Sequence, residues 1–319
     1  MSKSHLLAIV VGTLTILAAA CSSGEARPPE SGAPAEAVAA SEAQPRPDQR
    51  PLIEGPVSPD GLKAILGTAD LAVGEQRVGF VLTTPTGLIR APAVTVTSLF
   101  FPQGGPEAEE KQRALALFRP WPLGTRGLYT TTLSFDQPGR WGLDISVVSP
   151  DGRAQKAQIF YDVEETPSTP AVGSAGIRSH SKTIDDVESL TQLTTGSLHD
   201  PDLYQTTIAE AIDSGLPTLV VMASPAFCTN AVCGPQVEVL QALKNEYQGR
   251  ANFIHVDFYD NPEEIQGDLN LARLSPTVIE WGLPSNEWSF VLDREGVISA
   301  RFEAFATQDE LRRAIERVF

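Results

Sequence analysis

Apolar and polar positions alternate with a period of two through residues 52–164. Val78, Phe80 and Leu82 form one such run, and Val94 and Val96 another. Tyr129, Leu133 and Phe135 form a third, and Trp141, Leu143, Ile145 and Val147 a fourth. This is the period of strands that bury one face. Turn signals separate the runs: Thr84-Pro-Thr-Gly87, Gln137-Pro-Gly139 and Pro150-Asp-Gly152. Short alternating strands at this spacing predict an antiparallel β-sandwich. Past residue 200 the period changes. A helix is predicted over 202–214, entered at Pro201 and stopped at Gly215. Residues 217–223 are continuously apolar and β-branched, as in a strand buried on both faces. A helix over 235–247, a strand over 251–258 and a short helix over 262–271 follow. Strands over 288–292 and 297–302 flank Asp293-Arg-Glu-Gly296, a hairpin turn with glycine available for positive φ. Thr307-Gln-Asp-Glu310 is a capping box that opens a last helix. The second half is therefore α/β, and the chain as a whole multidomain.

Residues 165–199 are a linker, opening in a stretch rich in Pro, Ser and Gly where His180 is expected in solvent. Residues 21–51 hold almost no large apolar side chain, so nothing offsets their chain entropy, and they are expected to form a disordered tether. About 30 such residues span roughly 30 Å as a flexible coil. Residues 1–20 read as a signal peptide. Lys3 supplies the charge, and the apolar run over 6–20 is shorter than the ~20 residues of a relaxed bilayer span. Its exit, Leu17-Ala-Ala-Ala20-Cys21-Ser-Ser, resembles the lipobox of bacterial lipoproteins, with Ala18 where Leu is commoner. The resemblance implies cleavage after Ala20 and lipidation of Cys21. The protein would then sit on the extracytoplasmic side of a cell membrane, at the outer surface or in the periplasm.

The net charge of −16 over 319 residues argues against a nucleic-acid partner and against a basic membrane-binding patch. Three cysteines are an odd number for an exported chain. Lipidation of Cys21 accounts for one and leaves Cys228 and Cys233 as the pair available for chemistry. They lie in Pro217–Pro235, PTLVVMASPAFCTNAVCGP, between an apolar strand and a helix. Five residues of α-helix rise about 7.5 Å, more than the ~7 Å Cα limit of a disulfide. Bonding of the pair therefore requires residues 229–232 to be non-helical, with the helix starting at Pro235 and Cys233 beside its positive end.

Two resemblances sharpen this reading. Gly127-Leu-Tyr129, Phe135 and Gly139-Arg-Trp141-Gly-Leu143 resemble the Ig-like domains of exported bacterial proteins, with Tyr129 and Trp141 expected in the core. Residues 200–319 resemble the thioredoxin family, through Phe227-Cys228, Cys233-Gly-Pro235, the hairpin Phe290-Val-Leu-Asp-Arg-Glu-Gly296 and the closing amphipathic helix. The resemblance implies a thioredoxin-like fold and thiol–disulfide exchange with exported or envelope proteins through Cys228 and Cys233. No cofactor is implied, and Pro225, Phe227, Glu287 and Trp288 would line the site. The sequence departs from the family pattern in four places. The cysteines are spaced Cys-x4-Cys. Either Cys228, by strand count, or Cys233, by the Cys-Gly-Pro match, takes the nucleophile position. Met222 stands where the family has a buried carboxylate, and Glu287 where it has a cis-proline facing the cysteines, so either the loop is trans there or Pro276 or Pro284 takes over nearby. Trp281 and Trp288 either roof the cysteines or pack against the sheet. Two other functions compete: a non-catalytic envelope scaffold in which Cys228–Cys233 is structural, and a Cu(I) carrier, for which His255 is the one reasonable third ligand. A satisfied or exposed histidine is the plainer reading of His255. A peroxidase would need Ser or Thr where Pro225 stands.

Overall fold

The computed structural model describes residues 51–102, 105–122, 125–148, 152–228 and 233–319. Eight strands come first: β1 (Lys63–Leu66), β2 (Gly74–Thr84), β3 (Gly87–Leu88), β4 (Ala93–Phe100), β5 (Glu109–Pro120), β6 (Gly127–Phe135), β7 (Gly139–Val148) and β8 (Ala154–Val163). They form one antiparallel sheet in the order β1-β2-β6-β5-β4-β7-β8, with β3 folded back on β2. The sheet curls until its ends nearly meet. Val73 N–H donates to Glu164 O, and Glu164 N–H donates to Leu71 O. The result is a sandwich or barrel-like shell around one apolar interior. Period-two alternation puts Phe80, Tyr129, Leu133, Phe135, Trp141 and Tyr161 inside it. Tyr129 and Trp141 are core residues, 1% and 0% exposed. Trp141 Nε1–H reaches Gln137 O at 3.1 Å, so its one polar atom is satisfied despite burial. Strands β1, β5 and β8 complete the shell beyond the runs quoted from sequence.

A four-stranded sheet follows, in the order β10-β9-β11-β12. Its strands are β9 (Thr218–Ala223), β10 (Asn252–Val256), β11 (Glu287–Leu292) and β12 (Ile298–Glu303). β9 and β10 are parallel and joined by α2 (Cys233–Glu246), while β11 is antiparallel to both β9 and β12. The remaining helices are α1 (Ile208–Asp213), α3 (Pro262–Ile265), α4 (Pro276–Glu280) and α5 (Gln308–Glu316). This is a small α/β region, and the protein as a whole is mostly β. The hairpin turn between β11 and β12 uses Gly296 at φ +77°, a conformation costly for any residue with a Cβ.

Local chemistry moved several boundaries. The helix expected over 202–214 is two pieces, a 3-10 turn at Pro201–Tyr204 and α1. Thr207 begins a new cap there: its Oγ1 accepts from Glu210 N–H, and the Glu210 carboxylate accepts from Thr207 N–H. The helix expected over 262–271 breaks at Gln266 and Gly267, both at positive φ. α2 starts at Cys233 rather than Pro235. Proline is tolerated inside a first turn because its missing N–H would have had no helical partner.

Both sheets belong to one compact unit. Val81, Trp121 and Leu128, on the outside of the large shell, join the apolar cluster that also holds β9, α2 and α5 side chains. The Pro- and Ser-rich segment between the sheets is packed as well. Thr169, Ser179, Ser181 and Thr183 are buried, and Ala175 bridges to Val297. His180 within it is exposed.

Candidate functional site

β9 is the central element. Leu219, Val221 and Ala223 face α2 and α5, while Val220 and Met222 face Trp281, Trp288 and Phe290. Burial on both faces is what made this run continuously apolar. The chain leaves the sheet after Ala223 and passes through Ser224, Pro225, Ala226 and Phe227 to Cys228. Polar groups behind this exit pin it. Thr195 donates to Asp257 Oδ2 through its N–H (2.7 Å) and its hydroxyl (2.8 Å). Thr195 Oγ1 lies 2.9 Å from Ser224 Oγ and accepts from Ala226 N–H at 3.2 Å. Burial pushes the Asp257 carboxyl up to about 6, although the hydrogen bonds from Thr195, Tyr259 N–H and Ser224 act the other way.

His255 is equally enclosed. Nε2 lies 3.0 Å from Ala223 O, which can only accept, so Nε2 carries the proton. Nδ1, 2.6 Å from the Tyr204 hydroxyl, then accepts from it. Burial lowers the ring to about 4, against the Ala223 hydrogen bond, so the imidazole is neutral at pH 7. Both ring nitrogens are committed inside the fold, and His255 is a satisfied core histidine.

Cys228 and Cys233 are joined in a disulfide, with Cα atoms 5.9 Å apart. Residues 229–232, expected as a non-helical loop, lie outside the described residues. The two sulfurs sit in different environments. Cys233, in the first turn of α2, is fully buried, and its Sγ lies 3.5 Å from Asn286 O. Cys228 is half-buried. Glu287 opens β11 opposite Ala223, is 2% exposed, and holds a carboxylate oxygen within 4.8 Å of both sulfurs. The structure thus gathers Cys228, Cys233 and Glu287 at one point.

Of the other expected site residues, Pro225 stays beside the first turn of α2, where a Cβ on Gly234 would come within 3.9 Å of it, and Trp288 faces away from the cysteines. Trp288 turns to the opposite face of β11, where it stacks on Phe290 at 5.6 Å and donates from Nε1 to Ser285 Oγ. Trp281 packs on Phe290 from the same side, so the two tryptophans pack against the sheet and do not roof the disulfide. Phe227 meets Tyr259 edge-on at 6.1 Å. Pro225 lies so near Gly196 that a Cβ there would come within 2.9 Å of its ring. Cys21 lies outside the described residues.

A second polar cluster joins the two sheets, and nothing in the sequence pattern marked it. Arg301 of β12 reaches Asp70 Oδ2 at 2.8 Å, Asp70 O at 2.6 Å, Gln76 and Thr169. Glu303, two residues on, accepts from Ala69 N–H, Asp70 N–H and the Ser285 hydroxyl at 2.6, 2.9 and 2.7 Å. Burial pushes Glu303 up to about 7, with the Asp70 charge adding to it and the hydrogen bonds opposing. Burial alone would raise Asp70 too, but the Arg301 charge and the bonds from Ser168 and Thr169 hold it below the usual carboxylate range. These groups line a cavity of about 310 Å³ shared by both sheets.

No family model matches the chain, and no curated protein matches it. Among solved structures, the chain is similar to the soluble domain of PmoD from Methylocystis sp. ATCC 49242 (Rockwell). The identity is 15% over 29% of this chain and 74% of that one, with a TM-score of 0.21.

Proposed function

We propose that this chain is an extracytoplasmic thioredoxin-like protein that exchanges disulfides with exported proteins through Cys228 and Cys233. The observation that carries the reading is the unequal exposure of a bonded pair at a strand–helix junction. Cys228 is the half-buried member of the pair and the one a partner thiolate would attack, whereas Cys233 is fully buried. In the reducing direction, the Cys228 thiolate attacks a partner disulfide and forms a mixed disulfide, expelling one partner thiolate. The Cys233 thiolate then attacks the Cys228 sulfur, which re-forms the intramolecular bond and releases the second partner thiolate. The positive end of α2 favours the thiolate of Cys233. The parallel β9–α2–β10 unit and the β11–β12 hairpin support the thioredoxin-like reading, and the shell of β1–β8 the Ig-like one. The sequence around Ala20 and Cys21 supports a lipid anchor that holds both at a membrane surface.

A second reading has its own observation. Full burial of Cys233 suits a structural disulfide that ties the end of β9 to α2 in an envelope scaffold. A reduction potential decides between them. Equilibration with a dithiol couple should give a value above about −300 mV, and Cys233→Ser should accumulate mixed disulfides at Cys228. A lower potential with no trapped partner refutes exchange and leaves the structural bond.

A further inference from the structure

We propose that reduction turns the Cys228–Cys233–Glu287 cluster into a binding site for a thiophilic divalent cation of the zinc class. One oxygen and two sulfur donors lie within 4.8 Å of one another, and Cys233 and Glu287 are buried. In the oxidised protein the sulfurs bear no charge, and the cluster holds a single carboxylate. Two-electron reduction by a dithiol converts that reagent to its disulfide and leaves two thiols on the protein. Deprotonation of both would place two thiolates beside the buried Glu287 carboxyl group, which is costly without compensation. Two protons or one cation relieve this. Cation binding releases the two thiol protons and forms two metal–sulfur bonds and one metal–oxygen bond.

The donor chemistry selects the cation. Two thiolates and a carboxylate suit zinc, a borderline ion that takes sulfur, nitrogen and oxygen, better than Cu(I), which favours soft donors throughout. His255, the nitrogen donor a copper site would recruit, has both ring nitrogens engaged elsewhere. Tetrahedral bonds of ~2.3 Å to sulfur and ~2.0 Å to oxygen put donors roughly 3.5–3.8 Å apart. Opening the disulfide frees the two sulfurs to move apart toward that spacing, and the Glu287 oxygen already lies within 4.8 Å of both. Three protein donors leave a fourth position for water or an incoming thiolate. The metallated form would hold the thiols unreactive until the cation is withdrawn.

The test uses the full chain, reduced with a phosphine and freed of reductant without air, then titrated with Zn²⁺, or with Co²⁺ as a coloured substitute. The expected result is one cation per reduced chain, about two protons released per cation, thiolate-to-cobalt absorption, and no comparable binding by the oxidised chain. Glu287→Gln, close in shape, should weaken binding at least tenfold, and Cys228→Ser should abolish the thiolate absorption. Equal affinity for oxidised and reduced protein, or an unchanged affinity in Glu287→Gln, overturns the proposal. This result is independent of disulfide exchange: a chain that exchanges thiols without binding Zn²⁺ loses only the metal site.

Discussion

Replacing Glu303 with glutamine removes a titrating group from the junction of the two sheets while keeping its shape. In the folded protein this carboxyl sits at about 7, against an ordinary value of 4.5. A raised folded value means that the folded state holds a proton the unfolded state has already lost. Below about pH 4.5 both states are protonated and the contribution to stability is fully present. As pH rises through 7 it is lost. At about 1.4 kcal/mol per pH unit, the difference between the two values corresponds to about 3 kcal/mol across that window. Glutamine is a stand-in for the protonated form: its carbonyl can accept from the Ala69 and Asp70 N–H groups, and its amide can donate to Ser285 Oγ. Urea unfolding followed by fluorescence of the neighbouring Trp288 should show the wild type losing about 3 kcal/mol relative to Glu303→Gln between pH 4 and pH 8. Asp257 titrates in the same direction but is common to both proteins and cancels in the difference. A wild-type-minus-variant difference that is flat across this window refutes the reasoning, because it means Glu303 ionises alike in both states.

Other consequences can be measured directly. A carboxylate within 4.8 Å of a thiolate repels it, when ionised, by roughly 3 kcal/mol or more at an effective dielectric constant of 20. Glu287→Gln should therefore raise the reduction potential of the disulfide, on the order of 60 mV, and an unchanged potential would show that the carboxylate does not act on the sulfurs. Arg301→Met strands the buried Asp70 carboxylate and should cost about 3–5 kcal/mol in denaturant unfolding, with Asp70→Asn added to it recovering part of the loss. Purely additive effects in that pair would deny the coupling. Tyr204→Phe removes the hydroxyl that donates to His255 Nδ1 and should cost about 1–3 kcal/mol, while reduction of the disulfide stays unaffected. A shifted potential would tie this network to the cysteines.

Much of the fold was legible along the chain because periodicity is a local signal. Alternation at Val78, Phe80 and Leu82 marked a one-faced strand, and the unbroken apolar run at Leu219–Met222 marked a strand covered on both sides. Helix breaks were less legible. Thr207 and Gln266 interrupt helices through cap and left-handed geometry that a run of compatible side chains conceals. At the site, the sequence singled out Cys228 and Cys233, and the thioredoxin resemblance, counted back from Gly296, implied Glu287 facing them. It did not determine which way neighbours point. Trp288 is adjacent to Glu287 in sequence, yet the pleat sends it to the far face of β11. The joint between the sheets was invisible for another reason. Asp70 and Arg301 are 231 residues apart, and no local pattern distinguishes them from surface charges. Only the docking of two sheets excludes water from Glu303 and raises its pKa. The sequence by itself determined most of the strands, the cysteine pair and the periodic cores, because these follow from neighbouring residues. The tertiary structure alone decided which charges are buried and which meet, because burial depends on what the rest of the chain brings alongside.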